Sequence, residues 1–235
     1  PVPFILIHPR GAVPLRSSGG LTDVAPTILQ LLGLGIPTRM TGRSLIEGDG
    51  PAGSPSSRRV ILLILDGWGD NREIRGNLIA KAHTPVMDHL LAHYPHTTLQ
   101  AAGEAVGLPA GTVGNSEAGH LHIGAGRLIY SDRVKIDRAI VDGSFFENPA
   151  FRGVMSYACK QSKPLHLLGI VSFFSSHGSL HHLFALLEMA RREGAGEAFI
   201  HAMLGRRGEL PESGPRYIGS IEEKCAALGL GRVVS

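Results

Sequence analysis

A run of six apolar residues at positions 60–65 constrains the fold of this chain more than any other segment. It consists of Val, Ile and Leu alone, and it ends at Asp66. A continuous apolar run of this length is typical of a central strand that is covered on both faces, as in parallel α/β sheets. An acidic residue at the carboxyl end of such a strand points into the crevice where these sheets bind ligands. Asp66 is therefore a candidate ligand, although Asp-Gly is also an everyday turn pair.

The second half of the chain repeats the alternation of strands and helices. Apolar runs at 165–171 and 198–203 predict strands, and amphipathic patterns around Leu186 and Ile221 predict helices, the latter ending near Gly229. Earlier in the chain, one helix is expected to end at Gly33 and another to begin at Pro85. Strands that alternate with helices predict an α/β fold with a parallel, doubly wound sheet.

Ser116 is the first candidate for a nucleophile. It lies among small and polar residues in the segment Thr112-Val113-Gly114-Asn115-Ser116-Glu117-Ala118-Gly119-His120. Small residues let backbone N–H groups approach an anion. Two other interpretations stay open: Ser116 could cap a helix, or Gly114 and Ser116 could belong to a serine-hydrolase elbow. The elbow match is incomplete, because Ala118 stands where its last glycine belongs and no apolar run precedes Gly114.

The composition excludes several functional classes. A length of 235 residues allows one large domain or two smaller ones. The net charge is +3 and there is no Lys/Arg run of five, so neither nucleic acid nor an anionic membrane is expected as a partner. Cys159 and Cys225 match no metal spacing, which favours a reducing, cytoplasmic location. No apolar run reaches the roughly 18 residues of a membrane span, and the chain is expected to be a piece of a longer protein.

Taken together, six segments resemble the cofactor-independent (2,3-bisphosphoglycerate-independent) phosphoglycerate mutases of the alkaline phosphatase superfamily. In chain order they are Ile64-Leu65-Asp66-Gly67-Trp68-Gly69, Thr84-Pro85-Val86-Met87-Asp88, Gly103-Glu104-Ala105-Val106-Gly107-Leu108-Pro109, Gly114-Asn115-Ser116-Glu117 through to Gly126-Arg127, Leu165-His166-Leu167-Leu168-Gly169, and His182-Leu183-Phe184-Ala185-Leu186-Leu187. The resemblance extends over nearly all of residues 59–232. So many matches in one order are specific, although any one alone would not be.

The resemblance implies a fold, a reaction and a set of site residues. It implies part of an alkaline-phosphatase-like sheet with part of an inserted α/β transferase domain. The implied reaction interconverts 3-phosphoglycerate and 2-phosphoglycerate in glycolysis, through a phosphoserine formed at a two-metal site. By motif matching, Ser116 is the nucleophile and Asp66 is a ligand of the same Mn²⁺ or Mg²⁺, ions that suit hard oxygen ligands. A monomer that acts on a small phosphoglycerate substrate is expected.

The substrate contacts match the family less completely. His177 falls on a substrate-binding histidine, but the family's Ser-Asp-Gly-Gly-Val-His-Ser run reads Ser172-Phe173-Phe174-Ser175-Ser176-His177-Gly178 here. Arg207 falls on the arginine of an Asp-Gly-Arg-Asp motif, but both carboxylates of that motif are absent. A solvent-exposed surface position is the alternative interpretation for each residue.

The family segments occur in an unusual order. Residues 1–47 resemble the C-terminal piece of the phosphatase domain, 48–58 form a linker, 59–130 resemble its N-terminal part with the nucleophile, and 131–235 resemble part of the transferase, substrate-binding domain. This order fits a circular permutation or a fusion, and strands from both phosphatase pieces could enter one sheet. The family's other metal ligands fall in sequence that this chain lacks. The isolated chain is therefore expected to be inactive, and a non-catalytic remnant or binding fragment is the alternative.

Overall fold

The structure is a computed structural model that describes residues 1–9, 11–49, 59–71, 73–173, 178–204, 210 and 212–235. It divides into two compact units, Pro1–Ser131 and Asp132–Ser235. Each unit is α/β and contains a sheet with parallel pairing, which confirms the predicted fold class. The linker expected at 48–58 lies almost wholly outside the described residues.

The first unit carries three strands and four α-helices among its described residues. In chain order they are β1 (Val2–Ile5), β2 (Ser18–Gly20), α1 (Val24–Leu32), α2 (Leu78–Lys81), α3 (Pro85–His93), β3 (His96–Gln100) and α4 (Ser116–Ala125). The predicted helix boundaries are confirmed at two places. Helix α1 ends at Gly33 in the left-handed conformation, and α3 begins at Pro85.

The N-terminal piece and the piece that follows the linker share one sheet. Strand β3 lies in the middle, with β1 antiparallel on one edge and β2 parallel on the other. Leu21, Val24 and Leu45 from the N-terminal piece pack in one buried cluster with Leu99 and Val106 from the later piece. The two pieces therefore form one core, although a linker separates them in sequence.

Asp23 connects separate loops of the N-terminal piece by hydrogen bonds. Its carboxylate accepts hydrogen bonds from the Arg16 guanidinium at 2.7 Å, from Gly20 N at 3.0 Å and from Arg43 N at 2.9 Å. The Asp23 side chain is largely buried, so a carboxylate there requires this number of donors. One side chain thus fixes the loops on both sides of α1.

The strand predicted at residues 60–65 does not form. The segment has no regular structure, and its side chains are exposed, Ile61 by 92% and Leu63 by 77%. A strand needs a hydrogen-bonded neighbour, and the sheet of this unit consists, among the described residues, of β1, β3 and β2. Within the described residues no strand pairs with this segment, so its apolar composition is not matched by burial.

The second unit is a parallel sheet with helical connections. In chain order its elements are α5 (Asp132–Asp142), α6 (Pro149–Lys160), β4 (Leu165–Ile170), α7 (Leu180–Arg192), β5 (Ala198–Met203), α8 (Ser213–Leu228) and β6 (Arg232–Val233). The strand order is β4-β5-β6, and each neighbouring pair is parallel. The strands predicted at 165–171 and 198–203 are confirmed, as is the end of α8 at Gly229.

The core of the second unit lies on one face of its sheet. Leu165, Ala198 and Ile200 are buried with residues of α7 and α8, including Leu187 and Ile221. Because side chains alternate along a strand, every second residue of β4 and β5 points to the opposite face. Among the described residues, no helix is both long and apolar enough to cross a membrane.

Candidate functional site

The structure brings Ser116 and Asp66 together across 50 residues of sequence. Ser116 Oγ donates a hydrogen bond to Asp66 Oδ2 at 2.7 Å. Asp66 begins a turn in which Gly67 has a φ of +83° and Trp68 N donates to Leu65 O at 3.2 Å. A φ in that range favours glycine, which explains the Asp-Gly pair. The turn places the Asp66 carboxylate at the start of α4.

The neighbouring asparagine, rather than Ser116, caps α4. Asn115 has extended backbone angles, and its Oδ1 accepts a hydrogen bond from Ala118 N at 2.8 Å. This is the geometry of an N-cap residue. Ser116 is the first residue of the helix, and its hydroxyl is bonded to Asp66 instead. The interpretation of Ser116 as the cap is therefore wrong, because Asn115 already performs that role.

Gly114 allows the loop before α4 to approach a neighbouring backbone. A Cβ atom built at this position would lie 2.0 Å from Ala101 O, far inside van der Waals contact. Residue 114 must therefore lack a side chain for the loop to pack on this carbonyl. The glycine contributes to the position of Ser116 through backbone packing, which the sequence alone did not indicate.

Both site residues are exposed, and this limits what the pair does by itself. Phosphoryl and acyl transfer benefit from a site that excludes water. A serine hydroxyl is also a poor nucleophile unless a base or a metal ion activates it. The contact with Asp66 orients the hydroxyl hydrogen and leaves the Oγ lone pairs for an electrophile. The pair has the orientation of a nucleophile site but not its enclosure.

The two predicted substrate contacts, His177 and Arg207, lie outside the described residues. Phe173, which replaces an aspartate of the family run, is described. Its ring packs 5.6 Å from the Tyr217 ring and 6.5 Å from the Phe184 ring, between centroids. This substitution therefore has a structural role in the core of the second unit.

Two groups of polar side chains in the second unit, each containing histidine, were not anticipated from the sequence. His182 on α7 lies 2.7 Å from an Asp137 oxygen on α5. On the sheet, His166 and His201 approach to 3.0 Å, and His201 Nδ1 lies 2.7 Å from Ser235 Oγ. Each cluster joins residues 34 or more positions apart, so only the pairing of helices and strands brings them together.

The protein family whose model matches this chain covers residues of the second unit. Residues 136–235 match the family model described as BPG-independent PGAM N-terminus. A crystal structure of Leishmania mexicana phosphoglycerate mutase at low cobalt concentration is similar in fold. The TM-score is 0.54 and the identity 29%, over 65% of this chain and 29% of that chain.

Curated relatives extend the similarity beyond that unit. The 2,3-bisphosphoglycerate-independent phosphoglycerate mutase of Moorella thermoacetica is 47% identical over 179 residues, which is 76% of this chain and 35% of that protein. The Symbiobacterium thermophilum enzyme of the same name is 44% identical over 178 residues, with 76% and 34% covered. The chain thus spans about a third of the length of the curated relatives it matches. It belongs to the 2,3-bisphosphoglycerate-independent phosphoglycerate mutase family.

Proposed function

We propose that this chain carries the nucleophile of a phosphoglycerate mutase that interconverts 3-phosphoglycerate and 2-phosphoglycerate. The hydrogen bond from Ser116 Oγ to Asp66 Oδ2 is the observation that carries the proposal. In the forward step, Oγ bonds to phosphorus, the bond from phosphorus to the substrate oxygen breaks, and that oxygen takes up a proton. In the return step, the other hydroxyl of glycerate attacks the phosphoserine, and Ser116 regains its proton.

The chain's own residues position the serine for these steps. Asp66 Oδ2 accepts the hydroxyl hydrogen, with 2.7 Å between the two oxygens, while the Asn115 cap and Gly114 fix the start of α4. The N-terminus of a helix also favours negative charge, because its first N–H groups have no partners within the helix. A phosphoryl group on Ser116 would therefore lie beside a positive helix end.

We propose Mn²⁺ or Mg²⁺ as the metal of the whole enzyme. The Asp66 carboxylate and the Ser116 hydroxyl are hard oxygen donors of the kind these ions prefer. They do not complete a metal site: within the described residues, no group of three or more His, Cys, Asp or Glu residues could hold an ion. The other metal ligands have to come from parts of the whole enzyme that this chain lacks. The isolated chain is therefore expected to be inactive.

The domain roles belong to the same proposal. Residues 1–47 and 59–130 form the phosphatase part with Ser116 and Asp66, and 131–235 form part of the substrate-binding domain with His177 and Arg207. A monomeric enzyme of glycolysis in the cytoplasm is the expected setting. The compartment agrees with the presence of two cysteines that are both free.

A chimera tests the proposed function directly. The chimera is the Moorella thermoacetica enzyme in which the matched segment is replaced by the corresponding residues of this chain, to which it is 47% identical. We expect conversion of 3-phosphoglycerate in the presence of Mn²⁺, and phosphate on Ser116 in trapped enzyme analysed by mass spectrometry. Ser116→Ala is expected to lower kcat by about a thousandfold or more, since it removes the atom that bonds to phosphorus.

A matched serine serves as the control for this substitution. Ser220 lies on the surface of α8, and Ser220→Ala is expected to leave turnover unchanged. Full activity of the Ser116→Ala chimera would refute the nucleophile assignment. A folded chimera without turnover, beside an active parent, would favour the alternative that this chain is a non-catalytic remnant. Phe173 supports that alternative, because an aromatic side chain packed against the core stands where the family run has an aspartate.

A further inference from the structure

Helix α3 carries two histidines one turn apart on its exposed surface. His89 and His93 are both exposed, and their rings stack with 4.2 Å between centroids and 25° between planes. Residues four positions apart lie one above the other on the same face of a helix. The helix itself therefore brings the two imidazole rings together.

A backbone hydrogen bond sets the position of the hydrogen on the His93 ring. Nδ1 of His93 lies 2.9 Å from the carbonyl oxygen of His89. A carbonyl oxygen only accepts, so Nδ1 carries the hydrogen, and Nε2 of the neutral ring keeps a lone pair. Metal-binding histidines are commonly oriented in this way, by a bond from the other ring nitrogen to a backbone carbonyl. Nε2 of His93 therefore has the orientation of a metal ligand.

The His89 ring is positioned by contacts with other rings. It stacks on His93 and meets the Tyr94 ring edge-on, with 6.3 Å between the second pair of centroids. Neither contact is a hydrogen bond to a ring nitrogen. The helix dipole favours a histidine such as His93 in the last turn of α3, but it does not account for a second ring one turn earlier. The stacked pair indicates a site for a ligand that two imidazoles share.

The separation of the rings suits two neighbouring ligands of one metal ion. With metal–nitrogen bonds of about 2.1 Å, the ring centroids of two ligands lie about 4.5 Å apart at a right angle and about 5.2 Å apart at the tetrahedral angle. The observed 4.2 Å is closer to the first value. Right angles between ligands occur in the square-planar and tetragonal geometries of Ni²⁺ and Cu²⁺. Both side chains are exposed, so rotations that aim two nitrogens at one ion are readily made.

The donor atoms distinguish this pair from the oxygen donors Ser116 and Asp66. The acid next to His89 in sequence, Asp88, accepts a hydrogen bond from Thr84 Oγ1 at 3.0 Å, toward the start of α3. In the part of the chain that the structure describes, no three or more His, Cys, Asp or Glu residues form a metal-binding group, so water has to complete the coordination. Imidazole nitrogen suits Ni²⁺ and Cu²⁺, whereas Mg²⁺ and Mn²⁺ prefer oxygen.

We infer that His89 and His93 form a two-histidine site for Ni²⁺ or Cu²⁺ on the surface of α3. One ion is bound by both rings, and water occupies its other positions. The ion links two successive turns, so its binding stabilises the C-terminal part of α3. The inference rests on α3 and does not depend on Ser116 being the nucleophile.

The experiment titrates the full chain with Ni²⁺ and follows the histidine ring signals by NMR. Ni²⁺ is paramagnetic, so it broadens the signals of the rings that bind it. We expect the His89 and His93 signals to broaden together at substoichiometric Ni²⁺, with slower amide exchange at 89–94. In the His89→Ala variant, broadening of His93 should require about tenfold more Ni²⁺ or higher, because one imidazole remains. His93→Ala should have the same effect on His89.

His120→Ala is the matched control. His120 is exposed on α4 and its Nδ1 lies 2.8 Å from the Ser116 carbonyl oxygen, so it repeats the geometry of His93 without a second imidazole four positions earlier. Its replacement is expected to leave the broadening of His89 and His93 unchanged. Alanine is the most favourable residue in a helix, so all three variants should fold, which circular dichroism checks.

Three results would overturn the inference. The first is broadening of His93 at the same Ni²⁺ concentration in the chain with and without His89→Ala. The second is broadening of the His89 and His93 signals no earlier than that of His120. The third is an equal effect of His120→Ala and His89→Ala on His93. Turnover by the chimera described above does not depend on this pair, so the two proposals fail separately.

Discussion

One buried side chain, His122, makes hydrogen bonds within and beside the helix that carries Ser116. His122 on α4 is 1% exposed, its Nδ1 lies 2.6 Å from Ala118 O, and its Nε2 accepts from Ile129 N at 3.0 Å. Since Nε2 accepts, the hydrogen of the neutral ring is on Nδ1.

Burial raises the pKa of the Cys225 thiol in the second unit, which keeps this cysteine protonated and unreactive near neutral pH.

We predict that His122→Ala destabilises the protein by about 2–4 kcal/mol, because it opens a cavity at a side chain that is 1% exposed and leaves Ile129 N without its side-chain acceptor. His120→Ala is the control. His120 is exposed on the same helix, so its replacement should change the free energy of unfolding by less than about 0.5 kcal/mol. Urea unfolding followed by circular dichroism measures both, and similar values for the two variants would contradict the prediction.

The boundaries of several helices were predicted correctly from the sequence. Gly33, Pro85 and Gly229 act through local backbone geometry, so their roles in α1, α3 and α8 could be predicted from neighbouring residues alone. The run at 60–65 could not be predicted correctly, since a strand forms only where another segment supplies hydrogen bonds. The same limit applied to the cap of α4, where Asn115 and Ser116 are both favourable residues and a distant contact to Asp66 decides between them.

The loop before α4 gives a prediction with a control inside α4. Gly114→Ala should lower the melting temperature and weaken the contact of Ser116 with Asp66, because the new methyl group would meet Ala101 O at 2.0 Å. Gly124→Ala should be neutral or stabilise by up to about 1 kcal/mol, because no atom lies within 4 Å of its Cβ and alanine favours a helix interior. Calorimetry compares the two, and equal melting temperatures would refute the explanation for Gly114.

At the scale of the molecule, the first unit depends on segments from both sides of the linker. Strand β3 is flanked by β1 and β2, and Leu99 is buried against Val24 and Leu45. The motif matches predicted that the two pieces could share a sheet, and the pairing confirms it. The pairing partners themselves were not predictable, because register depends on which edges are available. The roles of His177 and Arg207 stay predictions.

We predict that deletion of residues 1–49 unfolds 96–130 and leaves the second unit folded. The deletion removes β1, β2 and the buried side chains of Leu21, Val24 and Leu45 from the shared core. Asp132–Ser235 has its own core and should be unaffected. Hydrogen exchange by mass spectrometry reports on both units in one sample. Unchanged protection at 96–100 would show that β3 does not need its neighbours.

The exposed segment at 60–65 also has a consequence for solubility. Six consecutive β-prone residues without charge or proline have the composition of segments that stack into steric zippers. Arg58 and Arg59 precede the segment and Asp66 follows it, and charges in such flanking positions act as gatekeepers against self-association. Salt screens these charges, so the chain should aggregate faster as ionic strength rises. Asp66 would then have two roles, one toward Ser116 and one in keeping the free chain in solution.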